Sequence, residues 1–327
     1  MNETPSSAET GENAVTRSAP SPSIPSMTRT SNYLYAAASF ERMFGRYPLP
    51  TDDAAATVND LIFNRMIDPK WSAFERTFVD KETAKLQAKR LFPDLRIPET
   101  LLVIPMEDVR SVAQLYALIQ PFAGTNTIAK PTHASGATVF MRDVGSATDL
   151  QHLYQMAIVD YSLNLREMQY WQLPKKIIVE ALVPTDTGLL PDDYKFHCVY
   201  GRPLVYQVDH DRFGARWSRM FRVPGSEPMD DQDGLVTAET YTKAAPERIK
   251  AMVSAAQALS ASFEYVRVDL YNGSDGVYFG EVTFTPAASL GVAPSSSGAQ
   301  HPSLTHQIYS RTIMDAVKRQ RRQLKTG

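Results

Sequence analysis

The chain has one cysteine, Cys198, in 327 residues, so no disulfide can form within it, and no CxxC or Cys/His spacing of a structural zinc site is present. No apolar run reaches the roughly 18 residues that a membrane-spanning helix needs. An excess of one charge is missing too: 34 basic against 36 acidic residues leave a net charge of −2, which disfavours nucleic acid as the main ligand. The N-terminus lacks a basic start followed by an apolar core, so a secretory signal is not expected and a reducing, cytoplasmic setting is. With 43% hydrophobic and 21% charged residues the usage is that of a globular protein. At roughly 150 residues per domain, the length implies about two domains or subdomains.

Residues 1–31 are small, polar and proline-rich, and cannot bury enough apolar surface to offset their ordering entropy; a disordered tail is expected. Helical spacing then begins at Tyr33 with Leu34, Phe40, Met43 and Phe44, and recurs over 54–66 and in the segment opened by Asp80-Lys81 and closed by Pro93. Further helices are predicted over 109–119, 147–170 and 246–263, with an amphipathic helix at 304–324 ending in a basic cluster read as a solvated end. Strands are predicted at 101–104, 127–131, 139–141, 176–180, 194–200, 203–208, 265–271 and 277–284. Helices and mostly antiparallel strands in blocks indicate an α+β fold. Cys198 sits in a strand as an apolar residue, and Trp71, Trp171 and Trp217 read as packing residues. His210 between two aspartates reads as part of a solvated turn.

The segment 267–283, R-V-D-L-Y-N-G-S-D-G-V-Y-F-G-E-V-T, carries the most chemistry. With a five-residue loop at 272–276, Tyr271 faces Val277, Asp269 faces Phe279 and Arg267 faces Glu281. The odd positions then gather Arg267, Asp269, Glu281 and Thr283 on one face, with Val266, Val268, Leu270, Tyr278 and Val282 on the other. Two carboxylates about 5 Å apart repel by roughly 3 kcal/mol at an effective dielectric near 20, and a divalent cation reverses that sign. Oxygen ligands without histidine or cysteine suit magnesium; the alternative is that Arg267 simply pairs with either acid on a solvated face. Lys130, ending an apolar strand before P-T-H-A-S-G-A-T, offers a point charge and closely approachable N–H groups to a phosphate.

Taken in order, these pieces resemble the ATP-grasp superfamily, in which two subdomains close on ATP, and within it the TupA-like branch. The residues carrying the resemblance are Phe78-Val79-Asp80-Lys81, Ala129-Lys130-Pro131-Thr132-His133-Ala134-Ser135-Gly136, Tyr170-Trp171, Asp193-Tyr194-Lys195-Phe196, Val208-Asp209 with Asp211-Arg212, Val266 to Tyr271, and Tyr278-Phe279-Gly280-Glu281-Val282-Thr283-Phe284-Thr285-Pro286. The similarity covers about 55–294. It implies an ATP-grasp domain over 32–300, with a nucleotide subdomain at about 100–180 and a metal-binding one at about 181–295, between the tail and a basic helix at 301–327.

The resemblance also implies roles. Lys81 and Lys130 are similar to the lysines on the α- and β-phosphates, His133, Ser135 and Gly136 to the loop over the β/γ-phosphates, Glu180, Ala181 and Leu182 to the hinge that receives adenine, and Asp193 to the acid on the ribose hydroxyls. Asp269, Glu281 and Thr283 match the magnesium ligands, with Thr283 where most ATP-grasp enzymes have asparagine, while Arg267, Lys195 and Arg212 would face the transferred phosphoryl group and an acidic substrate. Two departures stand out: Thr132 replaces the branch's usual asparagine, and Ala287-Ala288-Ser289 follows Pro286 where Ala-Ser-Gly is typical. The implied activity is an ATP- and magnesium-dependent ligase joining a carboxylate donor to an amine acceptor through an acyl-phosphate, in peptide or cell-surface polymer synthesis. A phosphotransferase or a non-catalytic nucleotide-binding module are the alternatives.

Overall fold

The computed structural model describes residues 27–188, 190–214, 216–229, 241–292 and 302–326. Four helices come first: α1 (Arg29–Phe44), α2 (Val58–Met66), α3 (Ala73–Val79) and α4 (Lys81–Leu91). Then follow β1 (Thr100–Pro105), α5 (Val112–Ile119), β2 (Thr127–Pro131), β3 (Val139–Phe140), α6 (Gln151–Ile158), α7 (Ser162–Leu165) and β4 (Lys176–Ala181). The second half holds β5 (Asp193–Val199), β6 (Arg202–His210), β7 (Trp217–Arg222), α8 (Pro246–Ser260), β8 (Val266–Gly273), β9 (Gly276–Thr283) and α9 (Leu304–Thr326). The expected α+β class is what the chain adopts.

Two antiparallel sheets organise the molecule, one ordered β1-β4-β2-β3 and one ordered β7-β6-β5-β8-β9. The smaller sheet packs Ala129, Ile177 and Val179 on α5 and α6 through Leu115, Ile119 and Leu153. In the larger, β5 alternates strictly. Tyr194, Phe196 and Cys198 enter the core under α8, while Asp193, Lys195 and His197 face the other way. That second face is only partly covered. Tyr309, Ile313 and Val317 of α9 and Leu61 and Ile62 of α2 close one end over Val199, Val205 and Met220. The charged end stays open to the smaller sheet.

Several expectations fail for local reasons. Of the tail over 1–31, residues 1–26 lie outside the described ones, and Thr28 caps α1 by accepting from Ser31 N–H at 3.2 Å, so this helix starts before Tyr33. The helix at 54–66 begins only at Val58, because Thr57 and Asp60 form a capping box. The helix expected over 147–170 breaks into pieces. Val159 is extended, Asp160 accepts from Ser162 N–H at 3.0 Å and so competes with helical pairing, and Arg166 takes a left-handed φ of 60°. The C-terminal helix is amphipathic as expected, burying Tyr309, Ile313 and Val317, and in its basic end Arg319 and Arg322 are exposed, but Arg321 is not simply solvated: it grips Glu264 through two bonds of 2.7 and 2.8 Å. His210 is buried at the end of β6, with Nδ1 2.5 Å from Asp192, and is no solvated turn. Among the described residues, no helix is long and apolar enough to cross a membrane.

Candidate active site

The hairpin differs from expectation in register and keeps its chemistry by a bulge. Its turn is Ser274-Asp275 between paired Gly273 and Gly276, so Tyr271 faces Tyr278 and Leu270 faces Phe279. Phe279, not Tyr278, is therefore the core residue. Continued unchanged, this one-residue shift would send Glu281 to the face opposite Asp269. Gly280 is left unpaired instead, and the register resets to Asp269 opposite Glu281 and Arg267 opposite Thr283. The bulge needs glycine: a Cβ there would lie 2.8 Å from the Asp269 carbonyl oxygen.

Arg267 is the hub of this face. Its Nε and Nη2 donate to the two Asp269 oxygens at 2.7 and 2.6 Å, and Nη2 also reaches Thr283 Oγ1 at 3.3 Å and Glu281 Oε1 at 3.5 Å. Thr283 Oγ1 donates to Glu281 at 3.1 Å. Burial pushes the Asp269 carboxyl above its ordinary range, with Arg267 opposing. Burial acts the same way on Glu281, but Lys81, Arg267, Lys130 and Arg212 outweigh it and hold that group down at about 2. One acid is thus stripped of solvent beside an arginine, and the other is kept ionised by four cations.

The lysines reach this place from the smaller sheet and from α4. Asp80 caps α4, accepting from the N–H groups of Glu82 and Thr83, and also takes Thr132 Oγ1 at 3.0 Å and Lys176 Nζ at 3.0 Å. It therefore ties the helix start to the loop after β2 and sets Lys81 at the first helical position, where Nζ donates to Ala134 O at 2.6 Å. Thr132 supplies a real side-chain contact in place of the asparagine. Lys130 Nζ lies 2.5 Å from Glu180, whose other oxygen pairs with the buried Lys85. Burial would raise the Glu180 pKa, yet Lys130 and Lys85 hold it below the usual carboxylate value. Glu180 is thus a clamp between two lysines, and Lys85 is a partner that the sequence pattern did not mark.

Between the sheets lies a cavity of about 100 Å³ walled by Ile128, Phe140, Leu182, Val183 and Tyr271, with Lys130, Glu180 and Asp193 at its polar side. Ala181 and Leu182 N–H groups are committed to Glu99 O and Asn126 O, at 3.0 and 3.2 Å, so these two offer the cavity their apolar side chains. Asp193 pairs through Oδ2 with Lys195, and with Arg212 at 3.5 Å, while its buried Oδ1 has no partner and can accept from a ligand hydroxyl. Ser135 and Gly136 form an exposed loop edge with a left-handed φ of 81° at the glycine. His133 turns inward and is buried; burial lowers its pKa to about 4, and it does not line either cavity described here.

A second cavity, of about 470 Å³, opens beside Glu281 and Thr283. Arg267, Lys195 and Arg212 line it, with Arg216, Asp209 and His197. Its far wall comes from α2 and α9 through Asn59 and Tyr309. Tyr309, Tyr265 and His197 Nδ1 join at 2.9 to 3.0 Å, and burial keeps His197 uncharged. Its rim is the strand exit at 286–292, where Ala287, Ala288 and Ser289 all have positive φ. Asn59 Nδ2 donates to Ser289 O and Gly291 O at 2.7 Å each and so pins that strained segment.

Among the described residues, no cluster of three or more His, Cys, Asp or Glu side chains is placed to hold a metal. Asp269, Glu281 and Thr283 nonetheless fit magnesium in kind: all donors are oxygens, and two are carboxylates opposed on one hairpin. Sequence alone also missed Glu167 and Tyr161 on the wall of the larger cavity, hidden in the helix expected there, and gave Tyr170, part of the family resemblance, no role in it.

Searches among known proteins bear on this arrangement unequally. No curated protein matches the chain. Among solved structures, the ATP-grasp ligase PsnB complexed with a minimal precursor matches at 12% identity and a TM-score of 0.36 over 74% of this chain, which spans 60% of that chain's length. D-alanine–D-alanine ligase from Bacillus anthracis with ATP gives 13%, 0.39, 76% and 67% on the same measures. D-alanyl-alanine synthetase A from Vibrio cholerae O1 biovar eltor str. N16961 gives 11%, 0.41, 80% and 72%. Likeness of that degree decides nothing. The sequence model of the TupA-like ATPgrasp family matches residues 75–295, starting later than the expected 55, and that span, holding both lysines, the Glu180 clamp and the acidic hairpin, makes the chain a member of the TupA-like ATP-grasp family.

Proposed function

We propose that the protein is an ATP- and magnesium-dependent ligase that joins a carboxylate to an amine through an acyl-phosphate, in the assembly of a peptide or cell-surface polymer. The polymer assignment rests on the family; the chemistry rests on one observation. The 470 Å³ cavity, large enough for an amino acid or short peptide, opens on Glu281 and Thr283 and is lined by Arg267, Lys195 and Arg212.

In this reading Lys81 and Lys130 hold the phosphates, and the apolar 100 Å³ cavity takes the adenine with Asp193 Oδ1 accepting from a ribose hydroxyl. Asp269, Glu281 and Thr283 would hold magnesium, which when bound neutralises phosphate charge. Arg267 bonds both acids and lines the cavity beside Glu281, where it would meet charge that develops on the transferred phosphoryl group. Lys195 and Arg212 orient the carboxylate. His133 serves the loop by packing beneath it.

The test gives the full chain ATP, magnesium and a panel of amino acids as both acids and amines. ADP, phosphate and an amide of the combined mass are expected. AMP with pyrophosphate overturns the reading, and a stable phosphorylated product without amide converts it to a phosphotransferase.

A further inference from the structure

Seven buried carboxylates occur among the described residues: Asp60, Asp80, Glu167, Glu180, Asp193, Asp209 and Asp269. Six have a lysine or arginine nitrogen within 4 Å, namely Arg46, Lys176, Lys130 with Lys85, Lys195 (shared by Asp193 and Asp209) and Arg267. Glu167 is the exception. It is 5% exposed, and its contacts are neutral: Thr285 Oγ1 donates to Oε1 at 2.7 Å, Gln169 Nε2 at 3.3 Å, and the Tyr161 hydroxyl donates as well. A buried carboxylate without a counter-cation is costly unless something supplies one.

Glu167 also lines the 470 Å³ cavity, beside Tyr161, Tyr170 and Thr285. It reaches that wall because the chain breaks at Arg166, whose left-handed backbone turns the next residue inward. Its partner Thr285 lies two residues beyond Thr283, and both threonines line the same cavity as Glu167. Lys81 and Glu281 act on the same pocket from the other side, through charge alone.

We propose that Glu167 is the docking point for the ammonium group of the amine substrate. This rests on the ligase reading and adds to it the residue that selects the second substrate. A protonated amine would complete the missing ion pair at this carboxylate. Burial, the largest influence on Glu167, raises its pKa to about 7, so the carboxylate is a base matched to taking up the ammonium proton. The freed lone pair then attacks the acyl carbon and forms the C–N bond. The C–O bond to phosphate breaks, and phosphate leaves with that electron pair while the second amine proton ends on it. Thr285 and Tyr161 hold the carboxylate in place, and the half-exposed Arg212 and Arg216 in the same cavity suit the acid substrate.

The experiment titrates glycinamide, an ammonium without a carboxylate, into the full chain loaded with magnesium and ADP at pH 7.5, with acetamide as its uncharged counterpart. Wild type should bind glycinamide and not acetamide. Glu167→Gln should weaken glycinamide binding about tenfold while keeping its affinity for magnesium-ADP within twofold, and Glu167→Asp should recover part of the loss. Equal glycinamide binding by wild type and Glu167→Gln, or none by wild type, overturns the assignment. If Glu167→Gln does not fold, the acetamide comparison on wild type decides alone: equal binding of the two probes overturns it. Failure of wild type to bind magnesium-ADP removes the ligase reading itself, and this proposal with it.

Discussion

The two sheets solve the problem of buried charge in opposite ways. In the smaller one a single carboxylate, Glu180, is held by two lysines, so its positive charge exceeds its negative. Inside the larger one the buried Asp193, Asp209 and Asp269 face only Lys195 and Arg267, and the excess of acid is met from the half-exposed edge by Arg212 and Arg216. The first surface suits an anion, and the buried acids of the second suit a cation. In the function proposed above, a nucleotide phosphate with its metal is both, and would bind where the sheets face one another. The fold therefore stores the complementarity in two halves, neither of which is a site alone.

The sharpest way to break this contrast is to remove the surplus acid. Glu281→Ala should cost about 10²–10³ in turnover by loss of a charge-stabilising group, with metal-free nucleotide binding retained; unchanged, magnesium-dependent turnover would contradict the assignment of the acid-rich sheet. Next is the lysine clamp. Lys130→Met leaves Glu180 with Lys85 only and should destabilise the fold by about 2 kcal/mol, the loss of one charge-assisted bond, checked by urea unfolding. The pH sense is fixed by Glu180's depressed pKa: its stabilisation is present above the ordinary carboxylate range and is lost as pH falls through the lower folded value. The gap between wild type and Lys130→Met should therefore be full at pH 7 and close on acidification.

A smaller effect probes how the acidic side is built. Gly280→Ala puts a methyl 2.8 Å from a backbone oxygen, so the bulge must shift at about 1–3 kcal/mol. The melting temperature should fall, and magnesium dependence should weaken with it as Asp269 and Glu281 move apart. The smallest belongs to Cys198, fully buried under α8 with its thiol pushed up to about 12 by burial. Cys198→Ala should cost about 1 kcal/mol in stability and leave turnover intact, and iodoacetamide should not inactivate the folded enzyme. Inactivation by the reagent would bring a thiol into the mechanism.

How much of this was legible in the sequence depended on which interactions were local. Parity along a strand is local, so Arg267, Asp269, Glu281 and Thr283 could be assigned to one face even with the wrong partners, because the bulge at Gly280 restored the parity that the tighter turn had shifted. The glycine itself carried no visible signal of that duty. Lys85 was hidden by distance, since nothing in an amphipathic helix marks one lysine as the partner of a strand acid 95 positions later. Glu167 was hidden by a plausible periodicity over 147–170 that Asp160 and Arg166 interrupt. The C-terminal helix was legible as amphipathic, but the partners of its apolar stripe, Tyr309, Ile313 and Val317, and of Arg321 exist only in three dimensions.

The wall that α9 gives the larger cavity has a consequence in time. Because α9 follows β9 in the chain, a ribosome completes both charged sheets before it has made the tyrosine that joins His197 and Tyr265. In the proposed reading, a nascent chain at that stage has both charged sheets but lacks the far wall of the 470 Å³ cavity, so competence to spend ATP would arrive only with the closing helix.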